Sequence, residues 1–499
     1  MILACNVIYK GALLPSHRSD RSIARISHLK KILAPMLMLL LTACYHPLEI
    51  IGEGDIVSTD IEHQCSLEEQ PCANLVTGDY NVTYTALPRP GWHFVGWQRC
   101  GSQHPTCSFS TAANIVSEFS GQTFPALRAV FEEDTPPQSN ILLIISDDQS
   151  FDHYGFAGHP VLQTPSIDAL AAQSVQYPQA YVSSTCRPTL ATMLTGLPEQ
   201  RHGVSYISGP QMGSFSTIAD RLGNAGYSSY QAGKFWEGAP DNRGFTDYMP
   251  FSTGSFTGNH EIGRTSIQPL FDFIDQTTSP WFVWFSPYMP HSPHNAPANY
   301  VTLYQGLGLD SATIEYFAMI SWFDDVVGEL LAGVPEDTIV IFLADNGYVQ
   351  SGFGGVPVAN SKNSSYEGGI RTQLLIRHPA QPVITRWELA TTEDVSATIL
   401  SIAGAYRDDL PGRDLLGPVP IESMAAGSRS SLGISTPWGQ LLERWVRIDD
   451  WKLVDSVLDA DRLYNLALDP GETQNEFSSP ASFTELSNLQ VELEAWWVE

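Results

Sequence analysis

Asn140-Ile141-Leu142-Leu143-Ile144-Ile145-Ser146-Asp147-Asp148 is the stretch from which the fold can be read. Its unbroken apolar run reads as a strand, and it delivers two adjacent carboxylates at its carboxyl end. A later apolar run, Thr338–Ala344, repeats the arrangement and ends in Asp345-Asn346. Between them lies Ser184-Thr185-Cys186-Arg187-Pro188-Thr189, in which a thiol opens a helix that starts near Pro188 and stops at Gly196. Two strands ending in oxygen-rich pairs, with a cysteine at a helix start between them, describe a metal-assisted active site.

Working outward, strands and helices alternate from Asn140 onward, which predicts an α/β fold with a mostly parallel sheet flanked by helices. Thr164-Pro165 begins a helix running to about Ser174. Ser311–Leu331 carries Ile314, Phe317, Ile320, Phe323, Val327 and Leu330 at helical spacing and should face the core. After about Gly412 the pattern changes to short strands (Trp445–Ile448, Trp451–Val454, Arg462–Leu466) and a final helix within Ala481–Trp497. The expected organisation is a core over 140–412 and a small C-terminal antiparallel subdomain over 413–499. Residues 45–134 read as an N-terminal all-β accessory module. There Asn81–Leu87 alternates in strand fashion, Pro88–Gly91 turns, and Trp92–Trp97 continues as a strand. Glu132–Ser139, with Pro136-Pro137, is the expected linker.

The chain has 499 residues, enough for more than one domain, and an ordinary hydrophobic content of 43%. Its formal net charge of -28 argues against nucleic acid as a partner. That charge would also repel an anionic substrate at long range unless the cleft is locally basic or salt screens the field. Lys30-Lys31, the apolar run Ile32–Leu41 and Leu41-Thr42-Ala43-Cys44 have the order of an export signal. The last four residues resemble a bacterial lipobox, in which Cys44 carries lipid and residues 1–44 form a lipoprotein signal peptide. Tyr45 in place of Asp then points to the outer membrane, so the expected contact with a membrane is through the lipid anchor only. In an exported protein Cys65, Cys72, Cys100 and Cys107 can form disulfides; local pairing is the simplest of the three connectivities. Cys186 is left without a partner, which flags it as functional.

Asp147, Asp148, Asp345 and Asn346 offer hard oxygen ligands with no His or Cys cluster beside them, which suits Ca²⁺, with Mg²⁺ second, better than zinc. Asp and Asn are common in turns and caps, so either pair alone says little. Their joint placement beyond the carboxyl ends of strands, where ligands of open α/β sheets gather, says more. The helix after Cys186 would aim amide groups at an oxyanion. Arg187, Lys234, His291 and Lys362 are candidate partners for that anion.

With these residues in view, the chain resembles a type I sulfatase, a formylglycine-dependent enzyme of the alkaline phosphatase superfamily, from about Asn140 to the carboxyl terminus. The resemblance rests on Asn140–Gln149, Thr164-Pro165-Ser166-Ile167-Asp168, Gly233-Lys234, Pro290-His291-Ser292-Pro293-His294 and Ala344-Asp345-Asn346-Gly347. It rests also on Lys362 with Tyr366-Glu367-Gly368-Gly369-Ile370-Arg371, on Asp450-Trp451-Lys452-Leu453 with Leu463-Tyr464, and on Asp469-Pro470-Gly471-Glu472. It implies that Cys186 is oxidised to formylglycine, serving as nucleophile and metal ligand beside Asp147, Asp148, Asp345 and Asn346 on Ca²⁺. Lys234 and Lys362 would hold sulfate oxygens, and His291 would contact sulfate or protonate the leaving alcohol.

The implied function is hydrolysis of sulfate monoesters, with sulfated glycans as the expected substrates. Phosphodiester or phosphonate hydrolysis on the same scaffold, and a silent lipoprotein that binds sulfated glycans, are the competing readings. Two positions depart from the family pattern. Leu190 stands where an arginine is usual, and Trp236 where a histidine is usual; Arg187 and His202 are the nearby groups that could compensate. The N-terminal module (Gly91–Trp97, the pair Cys100 and Cys107, and Leu127–Phe131) resembles divergent repeats of bacterial surface proteins and reads as a spacer.

Overall fold

The computed structural model describes residues 44–498 apart from 61–62, 70–71, 77–78, 90–91, 101–104, 112–125, 134–137, 208–211, 250–261, 349–359, 407–408, 419–422, 432–439 and 458. The expected export signal and the side chain of Cys44 lie outside the described residues. The chain divides into two compact units, Met1–Pro137 and Gln138–Glu499. Among the described residues no helix is long and apolar enough to cross a membrane.

Among its described residues the first unit is built of β-strands, with one short 3-10 helix at Leu67–Glu69. One sheet orders Cys72–Val76, Cys44–Ile51, Leu127–Glu133 and Trp92–Gln98; a second orders Gly54–Ser58, Tyr80–Pro88 and Thr106–Thr111. The turn after Pro88 therefore sends consecutive strands into different sheets. Alternate residues such as Val82, Tyr84 and Ala86 turn inward onto Leu48, Ile56, Ala129 and Phe131. So small a core gains from cross-links, and the disulfides Cys65–Cys72 and Cys100–Cys107 are both local pairs.

The second unit is built on a nine-stranded sheet. Its order is Asp247–Tyr248, Ser228–Gly233, Trp281–Ser286, Ile141–Ser146, Ile339–Ala344, Arg371–Arg377, Val175–Tyr181 and Ile384–Thr385, with Ala390–Thr391 also on Val175–Tyr181. Pairing is parallel except around Arg371–Arg377, which runs antiparallel to both neighbours. Every residue of Ile141–Ser146 is buried because both faces are covered. Ile141, Leu143 and Ile145 pack toward the helices Cys186–Thr195, Ile218–Asn224 and Thr392–Ile402. Leu142 and Ile144 pack toward Pro165–Ala171, Gln268–Gln276 and Ser311–Gly333. The last of these buries Phe317, Ile320, Phe323, Val327 and Leu330 of the stripe that the periodicity marks, while Ile314 at its start is half-buried.

A four-stranded antiparallel sheet (Met424–Ser431, Gln440–Ile448, Trp451–Ser456, Arg462–Asn465) closes the chain together with the helix Phe483–Val498. Leu486, Leu489 and Leu493 of that helix cover Val446, Leu453 and Leu463. A buried ionic cluster joins this sheet to the core. Lys452 Nζ lies 3.0 Å from Glu367 Oε1 and 2.5 Å from Glu472 Oε1. Glu472 Oε2 accepts from the Glu367 amide at 2.6 Å, and Tyr181 donates to Glu367 Oε2 at 2.8 Å. Burial would raise the Glu367 carboxyl, but Lys452 and Arg447 hold it below its ordinary range.

Candidate functional site

The site begins with register. Ile141–Ser146 and Ile339–Ala344 are parallel neighbours in which Ala344 faces Ser146, so Asp147-Asp148 and Asp345-Asn346 emerge side by side. The Asp345 amide donates to the Ser146 carbonyl at 2.9 Å. Asp148 then takes a left-handed backbone (φ 59°), tolerated best by Asp, Asn and Gly, which turns its carboxylate back toward its neighbours. Lys234 leaves the end of Ser228–Gly233, where its amide donates to the Ser286 carbonyl at 2.7 Å. A Cβ on Gly233 (φ 110°) would sit 2.0 Å from that carbonyl oxygen, so only glycine permits the approach. Lys362 is held by its amide, 3.2 Å from the Tyr348 carbonyl. Gly347 is similarly constrained, since an added Cβ would meet the Gly368 carbonyl oxygen at 1.7 Å.

These elements bring the expected residues into one buried cluster. Ligand atoms of Asp147, Cys186 and Asp345 lie within 4.8 Å of one another, as do those of Asp147, Asp148 and His291. Lys234 Nζ pairs with Asp147 Oδ2 and lies 3.8 Å from Asp345 Oδ2. Lys362 Nζ pairs with Asp148 Oδ1, and His291 Nε2 is 3.6 Å from Asp148 Oδ2. Asn346 Nδ2 donates to Asp148 Oδ1 at 2.7 Å. Cys186 starts the helix Cys186–Thr195, and Thr189 Oγ1 one turn on donates to the Asp345 carbonyl at 2.7 Å, tying that helix to the second acidic pair.

Charge in this cluster is tightly coupled. Burial, reinforced by Asp147, holds the Asp345 carboxyl well above its ordinary range. Burial also acts to raise Asp148, yet Lys362, His291 and Lys234 together hold it low. Burial pushes the Cys186 thiol up to about 11 against the pull of both lysines. Asp147 Oδ1 and Asn346 Oδ1 are buried acceptors that no hydrogen-bond donor among the described residues reaches. Unsatisfied hard oxygens converging with two further carboxylates fit a divalent cation of the Ca²⁺ or Mg²⁺ kind.

Both groups named as compensators are engaged by other partners, although Arg187 also lines the cavity that Leu190 and Trp236 share beside Lys234. Arg187 Nε donates to Glu237 Oε1 at 2.8 Å in a buried ion pair, and its Nη1 donates to the Ile207 carbonyl. His202 is buried with Nε2 on Thr192 Oγ1 and Nδ1 accepting from the Val204 amide, and burial holds its pKa down to about 3. It is a neutral core histidine. Leu190 and Trp236, the two departures from the family pattern, line one small cavity beside Lys234. An apolar pair therefore shares the space between the first turns after Cys186 and the lysine motif.

Sequence reasoning also missed Arg264. Its Nη1 donates to the Pro293 carbonyl (3.0 Å) and Asn295 Oδ1 (2.8 Å), and its Nη2 to the carbonyls of Tyr288 (2.7 Å) and His291 (2.8 Å). One guanidinium thus satisfies the irregular backbone that presents His291. Arg264→Ala is expected to quicken amide exchange in 288–295 at least tenfold, because a hydrogen bond to a charged group contributes about 1.5–3 kcal/mol. Protection of Ile141–Ser146 and Ile339–Ala344 should persist. Unchanged exchange in the loop would show that other contacts hold it.

Comparison with known proteins agrees with this architecture. The Sulfatase family model matches residues 139–405. Mouse (Mus musculus) arylsulfatase J is 24% identical over 387 residues, 64% of each chain. Mouse N-acetylgalactosamine-6-sulfatase is 25% identical over 335 residues, 54% of this chain and 63% of that one. The chain thus spans just under two thirds of the length of these relatives. The solved structure of Ps i-CgsB in complex with k-i-k-neocarrahexaose has the same fold, with a TM-score of 0.64 at 21% identity over 72% of this chain and 93% of that one. Since the family match takes in more than half of the sequence and both acidic strand ends, the chain belongs to the sulfatase family.

Proposed function

We propose that this protein hydrolyses sulfate monoesters on sulfated glycans. The observation that carries the reading is the convergence of Asp147, Asp345 and Cys186 within 4.8 Å, with Lys234 and Lys362 against the same carboxylates. The names of relatives favour this class, since two act as an arylsulfatase and an N-acetylgalactosamine-6-sulfatase, and a structural neighbour binds a neocarrahexaose. Sulfatases generally use a formylglycine and a divalent metal ion. Here Cys186 is the proposed precursor of the formylglycine, which supplies the nucleophilic oxygen. Asp147, Asp148, Asp345, Asn346 and the converted Cys186 would hold Ca²⁺, which lowers the cost of negative charge beside them.

The chain's own groups divide the remaining work. Lys234 and Lys362 bind the non-bridging oxygens of the ester and hold the sulfate in place while charge develops on the leaving alcohol oxygen. His291 Nε2, beside Asp148, carries the proton that the leaving oxygen needs. With a divalent cation bound, the two ammonium groups and the ion would outweigh the charge of Asp147, Asp148 and Asp345, so that long-range repulsion by the -28 shell is met at short range. We further propose export, with lipid on Cys44 and the first unit as a spacer; its two disulfides suit an oxidising compartment.

Protein purified from a host that performs the cysteine conversion is expected to hydrolyse 4-methylumbelliferyl sulfate. Dialysis against EDTA should lower the rate at least a hundredfold, and Ca²⁺ should restore it. Faster turnover of bis(4-nitrophenyl) phosphate than of the aryl sulfate would replace this reading with phosphodiester hydrolysis. Glycan binding with turnover of neither would replace it with a binding role.

A further inference from the structure

Beside the anion site stands an aromatic wall that the reaction as proposed does not use. Its inner layer is Tyr316, fully buried, whose hydroxyl donates to the Asp148 carbonyl at 3.0 Å. Tyr348 lies on it with ring centroids 3.5 Å apart and planes 6° from parallel. One face of Tyr348 is therefore occupied, and the ring as a whole is only half-buried. The half-buried His294 ring flanks both, 5.6 Å from Tyr316 and 6.2 Å from Tyr348.

The wall shares its frame with the charged groups. The Tyr348 amide donates to Ser150 Oγ at 3.3 Å, and its carbonyl accepts the Lys362 amide at 3.2 Å. Tyr348 directly follows Asp345-Asn346-Gly347, and His294 is three residues beyond His291. A ring pinned by its own backbone and backed by a second ring loses little freedom when a partner settles on its outer face. An aromatic plane whose own backbone holds Lys362 suits a pyranose, whose ester group is charged and whose ring carbons are apolar. The C–H face lies on the ring, and the sugar hydroxyls remain free to meet a polar edge such as the His294 imidazole.

From this we infer that Tyr348, backed by Tyr316 and flanked by His294, is the platform on which the sugar ring of the substrate stacks while its sulfate lies between Lys234 and Lys362. The inference rests on the sulfate-ester reading and adds to it a pyranose-stacking requirement. The test measures inhibition of 4-methylumbelliferyl sulfate turnover by two probes, inorganic sulfate and a sulfated galactan oligosaccharide. Tyr348→Ala is expected to raise the Ki of the oligosaccharide about fivefold to tenfold, the size of one aromatic contact. The Ki of inorganic sulfate, which reaches only the cations, should move less than twofold, and Tyr348→Phe should return the oligosaccharide to its wild-type value. An unchanged oligosaccharide Ki in Tyr348→Ala overturns the inference. So does a parallel rise of both constants, which would make the ring a support for Lys362, and so does an oligosaccharide that competes no better than sulfate with the wild type. Wild-type protein inert toward the aryl sulfate would instead bring down the sulfate-ester reading itself.

Discussion

Cys186→Ala is expected to abolish sulfate-ester turnover, with a loss on the order of 10⁴-fold or more, as removal of a nucleophile generally gives. The side chain occupies the first turn of the helix Cys186–Thr195, is 2% exposed, and lies within 4.8 Å of Asp147 and Asp345. Alanine is the best helix former and fills most of the same space, so the fold should survive and the loss should be chemical. Far-UV circular dichroism and the denaturation midpoint check the first point, and initial rates check the second. Mass analysis of the Cys186 peptide from active protein should show an aldehyde in place of the thiol. A Cys186→Ala protein retaining more than a tenth of wild-type activity would remove this residue from the reaction.

Lys452→Met should have the largest effect on stability. Lys452 is wholly buried and lies between Glu367 and Glu472, both also buried. Removing Lys452 leaves Glu472 facing Glu367, which keeps Arg447 at 3.6 Å and Arg371 at 3.8 Å, and breaking such a buried pair costs about 3–5 kcal/mol. The midpoint of urea unfolding should fall accordingly, with the slope unchanged. Adding Glu367→Gln to Lys452→Met should cost less than the two single changes summed, because the second substitution removes one of the stranded charges. Strict additivity would show that Lys452 acts through packing of its aliphatic stem.

Much of this arrangement was legible in the residues, for reasons that vary by element. Asn140–Ser146 and Thr338–Ala344 could be read because strands covered on both faces tolerate only apolar side chains. The antiparallel direction of Arg371–Arg377 could not, since a buried strand presents the same composition in either sense. Met424–Ser431 was missed for a different reason. It is rich in Ala, Gly and Ser, and its place depends on Trp445 of the next strand, whose indole lies 2.8 Å from where a Cβ on Gly427 would project. At the site, the two acidic pairs follow from residue type and position at strand ends, whereas Lys234 and Lys362 stand out through the family resemblance. Arg187 and His202 show the limit of that approach, because a charge near a motif says nothing of its direction. Glu237 and Thr192 decide where those two side chains go. Tyr348 gave no signal beyond following a motif, and Arg264, far from any motif in the chain, gave none, since its contacts with 288–295 arise only on folding.

The cluster around Lys452 has a structural corollary for the small terminal sheet. Glu367 heads the short helix Glu367–Ile370, whose Gly369 carbonyl receives the Gly347 amide at 3.1 Å, one residue from Asn346. A chain cut short ahead of Met424 would strip Glu367 of Lys452 and Arg447, leaving it Arg371, and slacken the very backbone that presents Asn346. The terminal sheet thus behaves as a keystone of the acidic cluster, and dissecting the protein at that apparent seam would dismantle the cluster with it.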